Sequence, residues 1–490
     1  VMGQDLYATL GIPYNAIPEE IRGAYFKLAR AYHPDTAADP SQSEQFLKIQ
    51  HAYEVLSDPK RRAKYDASLP AHLLAGPEIS VSVKYSQPAL AVSEEPQLIY
   101  ALVDLICTAD IRPESKYSRH FCLVLDQSTS MKGSRIEMVK SGALQLLQQL
   151  HPHDLISVVT FGDRAEVLVP PTRASNLSKT DQRIRMLQPG GGTELYQGLS
   201  AGYELLLQTE SVHHRHLILL TDGHTYGDED RSIELARQAA DEGITISALG
   251  IGNDWNDEFL DQIAGLSGGN CQYIASARDL NHFLLQKLTD LETIYARSLR
   301  LEFDHESAAQ LRYGFRLSPS TGPLVVSDAV HLGDIQHRRT ISFLLEFLVP
   351  ALKYEQDHFS LARGQVKLEI PDIPSPNARI FLDLHRPVRA RYEAEQPPLA
   401  IVEAMSKLTL YRMQEKIRQE VNQGKINEAT RHLHYLATHL LSQGDRELAH
   451  TVLIEAEHIQ QSRSFSDEGE KRIKYGTRAL LFPPGPELIS

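Results

Sequence analysis

Five oxygen-bearing side chains stand out in the middle of the chain. Asp126, Ser128 and Ser130 alternate in "DQSTS", directly after an apolar run. Thr193 sits in the Gly-rich "GGGTEL", and Asp222 ends "LLTD". Two carboxylates and three hydroxyls are hard oxygen donors, which suit Mg²⁺ and, less selectively, Mn²⁺ or Ca²⁺. Alternation in an irregular turn lets the oxygens of 126, 128 and 130 aim at one point. Two negative charges balance a divalent ion without saturating its shell, so one position stays electrophilic. "DQSTS" alone would be an ordinary Asx/Ser turn. Thr193 and Asp222 at other strand ends argue against that reading.

A second constellation lies near the N-terminus. His33-Pro34-Asp35 follows a helix-forming stretch that carries Arg22, Lys27 and Arg30. Pro34 stops the helix and biases His33 away from the α region. The three cations make a local positive patch beside a loop carboxylate, a surface able to steer an acidic partner. "HHRH" at 213–216 is metal-like in composition, but its place before a buried strand reads better as a helix cap and chain turn. No "GxxxxGK[ST]" or "HExxH" occurs, and no general base accompanies the five oxygens, so no enzyme is expected.

Several elements must position these residues. At roughly 100–200 residues per domain, 490 residues imply three or four domains. The formal net charge of -13 argues against nucleic-acid binding by charge. Three cysteines without a CxxC suggest a reducing compartment. No signal peptide, transmembrane helix or membrane insertion is expected, and the expected location is the cytoplasm.

At the N-terminus, a short helix near Asp5 precedes one opened by Pro18, Glu19 and Glu20. Ile21, Ala24, Tyr25, Leu28 and Ala29 form its buried stripe. A third helix, about Ser43 to Leu56, turns Phe46, Ile49, Tyr53 and Leu56 inward, and "KRRAKYD" closes the unit. "DLYATLGI", "EEIRGAYFKLARAYHPD" and "FLKIQHAYEVLSDPKRRAKYD", in that order, resemble a J-domain (DnaJ type). The resemblance implies an all-α hairpin that binds Hsp70 (DnaK type) and stimulates its ATPase through His33, Pro34, Asp35, Arg22, Lys27 and Arg30. Gly23 departs from the pattern, since many J-domains carry a second basic residue there.

Residues 70–77 read as a Pro/Gly/Ala linker. "ISVSVKYSQ" and "PQLIYALVDLICT" are strand-like but too short for a core of their own. Further strand-like segments, among them "SLRLEFDH", "TISFLLEFLV" and "ARIFLDLH", recur from 298 to 391. The economical reading is one β-sandwich, 78–119 and 296–395, interrupted by residues 120–295. That insert alternates near-continuous apolar strands with amphipathic helices. It should be a mostly parallel, doubly wound sheet with ligands beyond the strands' carboxyl ends. With its DxSxS, Thr and Asp elements it resembles a von Willebrand factor type A (VWA) domain with a metal-ion-dependent adhesion site. The resemblance implies metal ligation by Asp126, Ser128, Ser130, Thr193 and Asp222, some of it through water, and a partner's Glu or Asp completing the shell.

From Leu399 the pattern is helical, broken by "NQG" and "SQGD" into short-loop hairpins over 396–463. Packing against the sandwich is the expected role, and 464–490 reads as a tail, polar at first and then, in "RALLFPPGPELIS", partly ordered or loose. The expected whole is multidomain: an all-α J-domain over 1–69, a β-sandwich carrying an inserted α/β VWA domain, then C-terminal helices. Its function would be to recruit Hsp70 to a protein partner held through the metal. The alternative is a metal-dependent assembly or adhesion module, possibly an AAA+ ATPase partner, with a structural J-like unit.

Overall fold

The computed structural model describes residues 6–480 except 13, 15, 17, 32–39, 70–76, 111–117, 178–179, 210–213, 224–226, 253–254, 305–307, 327–328, 371–377, 392–395, 443 and 467. His33, Pro34 and Asp35, with Asp5 and most of the 70–77 linker, therefore lie outside the described residues.

Helices Leu6–Leu10, Pro18–Ala31, Pro40–Leu56 and Pro59–Asp66 build the N-terminal unit. Ile21, Ile49, Ala52 and Leu56 interlock with Leu6, Tyr7 and Leu10, and Tyr25 stacks on Tyr53 at 4.1 Å. Pro59 ends one helix and opens the next, where Asp58 accepts hydrogen bonds from Lys60 N at 2.8 Å and Arg61 N at 2.9 Å. Arg62 then reaches back, donating to Tyr7 OH at 2.8 Å and the Tyr14 carbonyl at 3.1 Å. The basic segment thus closes the unit covalently distant but physically tied to its start.

Two five-stranded sheets form a sandwich. β1 (Ile79–Tyr85) and β3 (Gln97–Cys107) precede the insert. β10 (Ile294–Phe303), β11 (Gln310–Ser318), β12 (Gly322–Leu324), β13 (Ala329–Gln336), β14 (Thr340–Val349), β15 (Gln356–Glu369) and β16 (Ala378–Arg389) follow it. β3 pairs antiparallel with β14, Leu102 facing Leu344, while β2 (Leu90–Ala91) joins β16 in the other sheet. One core, including Ile99, Val103, Leu299, Phe343 and Leu361, spans both sheets. The early strands have no core of their own because half of it arrives only after the insert, from Tyr295 onward.

The insert is a six-stranded sheet ordered β6-β5-β4-β7-β8-β9: β4 Arg119–Asp126, β5 Leu155–Phe161, β6 Ala165–Arg173, β7 His214–Thr221, β8 Ile244–Ile251 and β9 Cys271–Ile274. All pairs are parallel except β5 with β6. Helices Ser134–Gln149 and Ala277–Glu292 cover Phe121, Leu123 and Leu125 on one face. Leu195–Leu207, Glu229–Asp241 and Asp257–Leu266 cover Cys122 and Val124 on the other. That double burial is why the strands are continuously apolar. Arg316 rivets insert to sandwich. Its buried guanidinium donates to the carbonyls of Gly268 at 3.0 Å, Gly269 at 2.6 Å and Ser320 at 3.1 Å. Gly268 and Gly333, both at positive φ, meet so closely that a Cβ on Gly268 would lie 2.5 Å from Gly333 N.

Four C-terminal helices follow: Leu399–Asn422, Ile426–Ser442, Arg446–Ser462 and Gly469–Leu480. Gly424 and Gly444, at φ 74° and 87°, end the first two. Ile401, Ala404, Leu408 and Tyr411 pack on Leu102, Phe315 and Leu344 of the sandwich; each large apolar side chain so buried contributes about 1.5–3 kcal/mol. The segment read as a loose tail is corrected here: it carries the helix Gly469–Leu480, docked on the insert through buried charges. Among the described residues no helix is long and apolar enough to cross a membrane.

Candidate metal centre at the strand ends

Parallel pairing in register places Leu125 beside Leu220. Asp126 and Asp222 therefore emerge next to each other at the carboxyl edge, both fully buried. Asp126 is held from two sides: Thr221 Oγ donates to Oδ2 at 2.6 Å and Ser128 N to Oδ1 at 2.8 Å. The 3₁₀ turn Thr129–Met131 then carries Ser130 back over the strand ends. Ser128 Oγ and Ser130 Oγ lie 2.9 Å apart, and Ser130 donates to Asp222 Oδ1 at 2.7 Å. Four of the five expected ligands are thus one contiguous oxygen cluster.

Thr193 reaches the same place from the Gly-rich turn, which is pinned to the neighbouring loops. Gly190 N donates to the Gln127 carbonyl at 2.7 Å, Thr129 N to the Gly191 carbonyl at 3.1 Å, and Gly192 N to Asp163 at 2.7 Å. A Cβ placed on Gly223 would lie 3.4 Å from Thr193 Oγ and 3.9 Å from Ser130 Oγ, so both hydroxyls flank one point above that glycine. Burial raises the Asp126 carboxyl above its ordinary range, and the Asp222 charge adds to this. The donor set is all oxygen and carries two buried carboxylates, which fits a hard divalent cation.

Sequence reasoning missed Arg135. Its Nη1 lies 2.5 Å from Asp222 Oδ2. It also lies against Gly252 at the end of β8, where a Cβ would come within 2.8 Å of Nη2. A signal was available. Arg135 occupies the first turn of Ser134–Gln149, where the helix dipole disfavours a cation, so an anion had to be near. Thr221 was equally invisible, being one polar residue inside an apolar strand.

"HHRH" is also corrected. His214 and His216 do not precede β7 but belong to it, both buried. His216 Nε2 pairs with Ser247 Oγ at 3.1 Å, and burial pushes its imidazole down to about 3, keeping it neutral. On the N-terminal unit, Arg22, Lys27 and Arg30 are all exposed on Pro18–Ala31, as is Phe26, which lies 5.7 Å beneath the Arg22 guanidinium.

Residues 5–66 match the DnaJ domain family and residues 121–291 the von Willebrand factor type A domain family. The chain joins a DnaJ domain to a type A domain. Residues 399–483 match a third family, the Sll0103-like C-terminal alpha-helical domain, which includes the helix Gly469–Leu480. The chaperone protein DnaJ of Carboxydothermus hydrogenoformans is 58% identical over 66 residues, 13% of this chain and 17% of that one. The uncharacterized protein sll0103 of Synechocystis is 27% identical over 377 residues, 74% of this chain and 89% of its own length. A solved von Willebrand factor type A protein from Catenulispora acidiphila superposes with a TM-score of 0.66 at 16% identity, covering 82% of this chain and 97% of that one. That is a shared fold for most of the body.

Proposed function

We propose that this chain is a co-chaperone whose DnaJ domain stimulates an Hsp70 of the DnaK type, and whose type A domain holds the protein to which that Hsp70 is delivered. The observation that carries the reading is the oxygen cluster. Asp126, Ser128 and Asp222 are buried, Ser130 is exposed beside them, and Thr193 flanks the same opening. These five would hold Mg²⁺, or Mn²⁺ or Ca²⁺, with a coordination position facing outward. Bound there, the ion supplies positive charge that an acidic side chain of a partner can complete. Holding client and Hsp70 on one chain raises the effective concentration of each for the other. No catalysis by the chain itself is proposed. The three cysteines are free thiols, which supports a reducing location such as the cytoplasm.

The test has two arms. His33→Gln should abolish stimulation of a cognate Hsp70's single-turnover ATPase; full stimulation would favour a metal-dependent assembly module instead. Asp126→Ala should remove Mg²⁺ uptake and metal-dependent partner capture, and Ser128→Ala, which deletes a neutral oxygen, should weaken both less. Capture that is the same for wild type and Asp126→Ala, in Mg²⁺ and in EDTA, sinks the metal arm.

A further inference from the structure

β15 and β16 pair antiparallel along the outer sheet of the sandwich, with Phe359 opposite Arg386 and Ser360 opposite His385. Phe359, Leu361, Leu382 and Leu384 are buried in the core. Alternation therefore sends His358, Asp383 and His385 to the other, solvent-facing side, where all three are exposed. The imidazoles of His358 and His385 stack with centroids 4.0 Å apart and planes 27° apart. Asp383 Oδ1 lies 3.8 Å from His385 Nδ1. Among the described residues this is the one group of three His, Cys, Asp or Glu side chains whose ligand atoms lie within 4.8 Å of one another.

We propose that His358, Asp383 and His385 form a second cation site, selective for zinc-class ions, on the outer face of the sandwich. Two imidazole nitrogens and one carboxylate oxygen are the borderline donors that Zn²⁺ takes, three protein ligands leaving a fourth position for water or a partner's side chain. Mg²⁺ prefers oxygen, so the two sites on this chain sort ions by donor type. The scaffold is favourable because the ligands stand on two hydrogen-bonded strands over a packed core, not on loops. Arg363 Nε, 3.6 Å from Asp383 Oδ1, is beyond normal hydrogen-bond range. It orients the carboxylate without occupying it. The site shares a strand and a face with Arg379, which pairs with Glu20 of the DnaJ domain. Asp383 and His385 lie four and six positions along the strand from Arg379, about 13 and 20 Å.

The experiment uses the full chain, stripped with EDTA and dialysed into excess Mg²⁺. Zn²⁺ uptake is then measured for wild type, His358→Ala/His385→Ala, Asp383→Asn and Asp126→Ala, with Co²⁺ as a coloured probe of nitrogen ligation. Removing a second-shell partner alone weakens a metal site about tenfold or more, so loss of two ligands should eliminate uptake of one Zn²⁺ per chain. Asp383→Asn should weaken it, and Asp126→Ala should leave it intact. Undiminished Zn²⁺ uptake and unchanged Co²⁺ absorption in His358→Ala/His385→Ala overturn the proposal. Loss of uptake in Asp126→Ala alone also overturns it, by moving the Zn²⁺ to the strand-end cluster. Failure of Mg²⁺ binding at that cluster would leave the Zn²⁺ result unaffected.

Discussion

The two ends of the chain meet the body in opposite ways. The apolar cluster of the DnaJ domain draws only on residues 6–69, and Glu20 pairs with Arg379 of the sandwich at its edge. The last helix, Gly469–Leu480, is instead sunk into the type A domain by buried charges. Lys474 pairs with Asp257 and, at 2.9 Å, with Asp261. Arg478 grips Asp261 by two bonds of 2.7 and 2.8 Å, and Arg418 joins Asp257 at 2.6 Å. Lys471 lies 4.4 Å over the Trp255 ring and donates to the Trp255 carbonyl at 2.7 Å. Under the proposed function, a domain that must find a separate ATPase gains from attachment through few contacts, and a domain that frames a binding site gains from a fixed one.

The clamp should give the largest effect. Asp261→Ala leaves Arg478 buried without its carboxylate and Lys474 with Asp257 alone, a loss of about 3–5 kcal/mol when one partner of a buried pair is removed. Trp255 is the chain's one tryptophan, so its fluorescence in a urea titration reports the loss directly. An unchanged midpoint would mean the helix is not clamped. Acid tests the same contact without mutation. Burial by itself raises Asp261, but Arg478 and Lys474 override it and hold the carboxyl at about 2, below its ordinary 3.8. A depressed carboxyl contributes stability that is complete above about pH 4 and disappears as pH falls through the folded value. Trp255 emission should therefore change between about pH 4 and pH 2.

That clamp also marks the limit of what the sequence disclosed. The α/β alternation, the interrupted sandwich and the five oxygens were legible because each leaves a local signature: apolar runs, strands too few for a core, a spaced motif. Gly469–Leu480 leaves none. Its buried face is Lys471, Ile473, Lys474, Tyr475, Thr477 and Arg478, and a charged buried face reads as a polar tail when hydrophobic period is the guide. Its partners, Asp257 and Asp261, lie more than 200 residues away. Arg135 left one faint signal, its place in a helix's first turn; its meaning rests on Asp222, which only the parallel register brings beside it. His214 was misplaced because "HHRH" is polar by composition, whereas the strand begins at His214.

Arg135 connects the metal centre to the clamp and should give an intermediate effect. It touches Gly252, whose carbonyl accepts from Trp255 Nε1 at 2.9 Å. Arg135→Ala removes the cation that neutralises Asp222, so an incoming Mg²⁺ no longer displaces a rival charge. Affinity should tighten about tenfold, equivalent to about 1.4 kcal/mol, within the range for one charge pair near a protein surface. Titration calorimetry measures it, and Trp255 emission during the titration shows whether the ion is felt at the last helix. Weaker binding would mean that Arg135 supports the loaded site.

The smallest effect belongs to the other end. Glu20 stands in the first turn of Pro18–Ala31, two residues before Arg22 on the helix that carries the basic patch. Its partner Arg379 also lies 5.3 Å from the Phe381 ring centroid on the outer sheet. Pairing there holds one end of the patch-bearing helix near the sandwich, where an approaching Hsp70 has less room. Glu20→Gln removes the charge and keeps the shape. The pair is largely buried, Arg379 11% and Glu20 24% exposed, but the amide oxygen of Glu20→Gln can still accept from Arg379, so the loss is about 1 kcal/mol and the unfolding midpoint should move little. The DnaJ domain should be released more often, and ATPase stimulation at limiting Hsp70 should rise by at most about fivefold, the equivalent of that energy. The increase should shrink at high salt, because screening already loosens the pair in the wild type. A fall in stimulation would mean that the contact presents the DnaJ domain rather than restraining it, and that both ends of the chain are fixed.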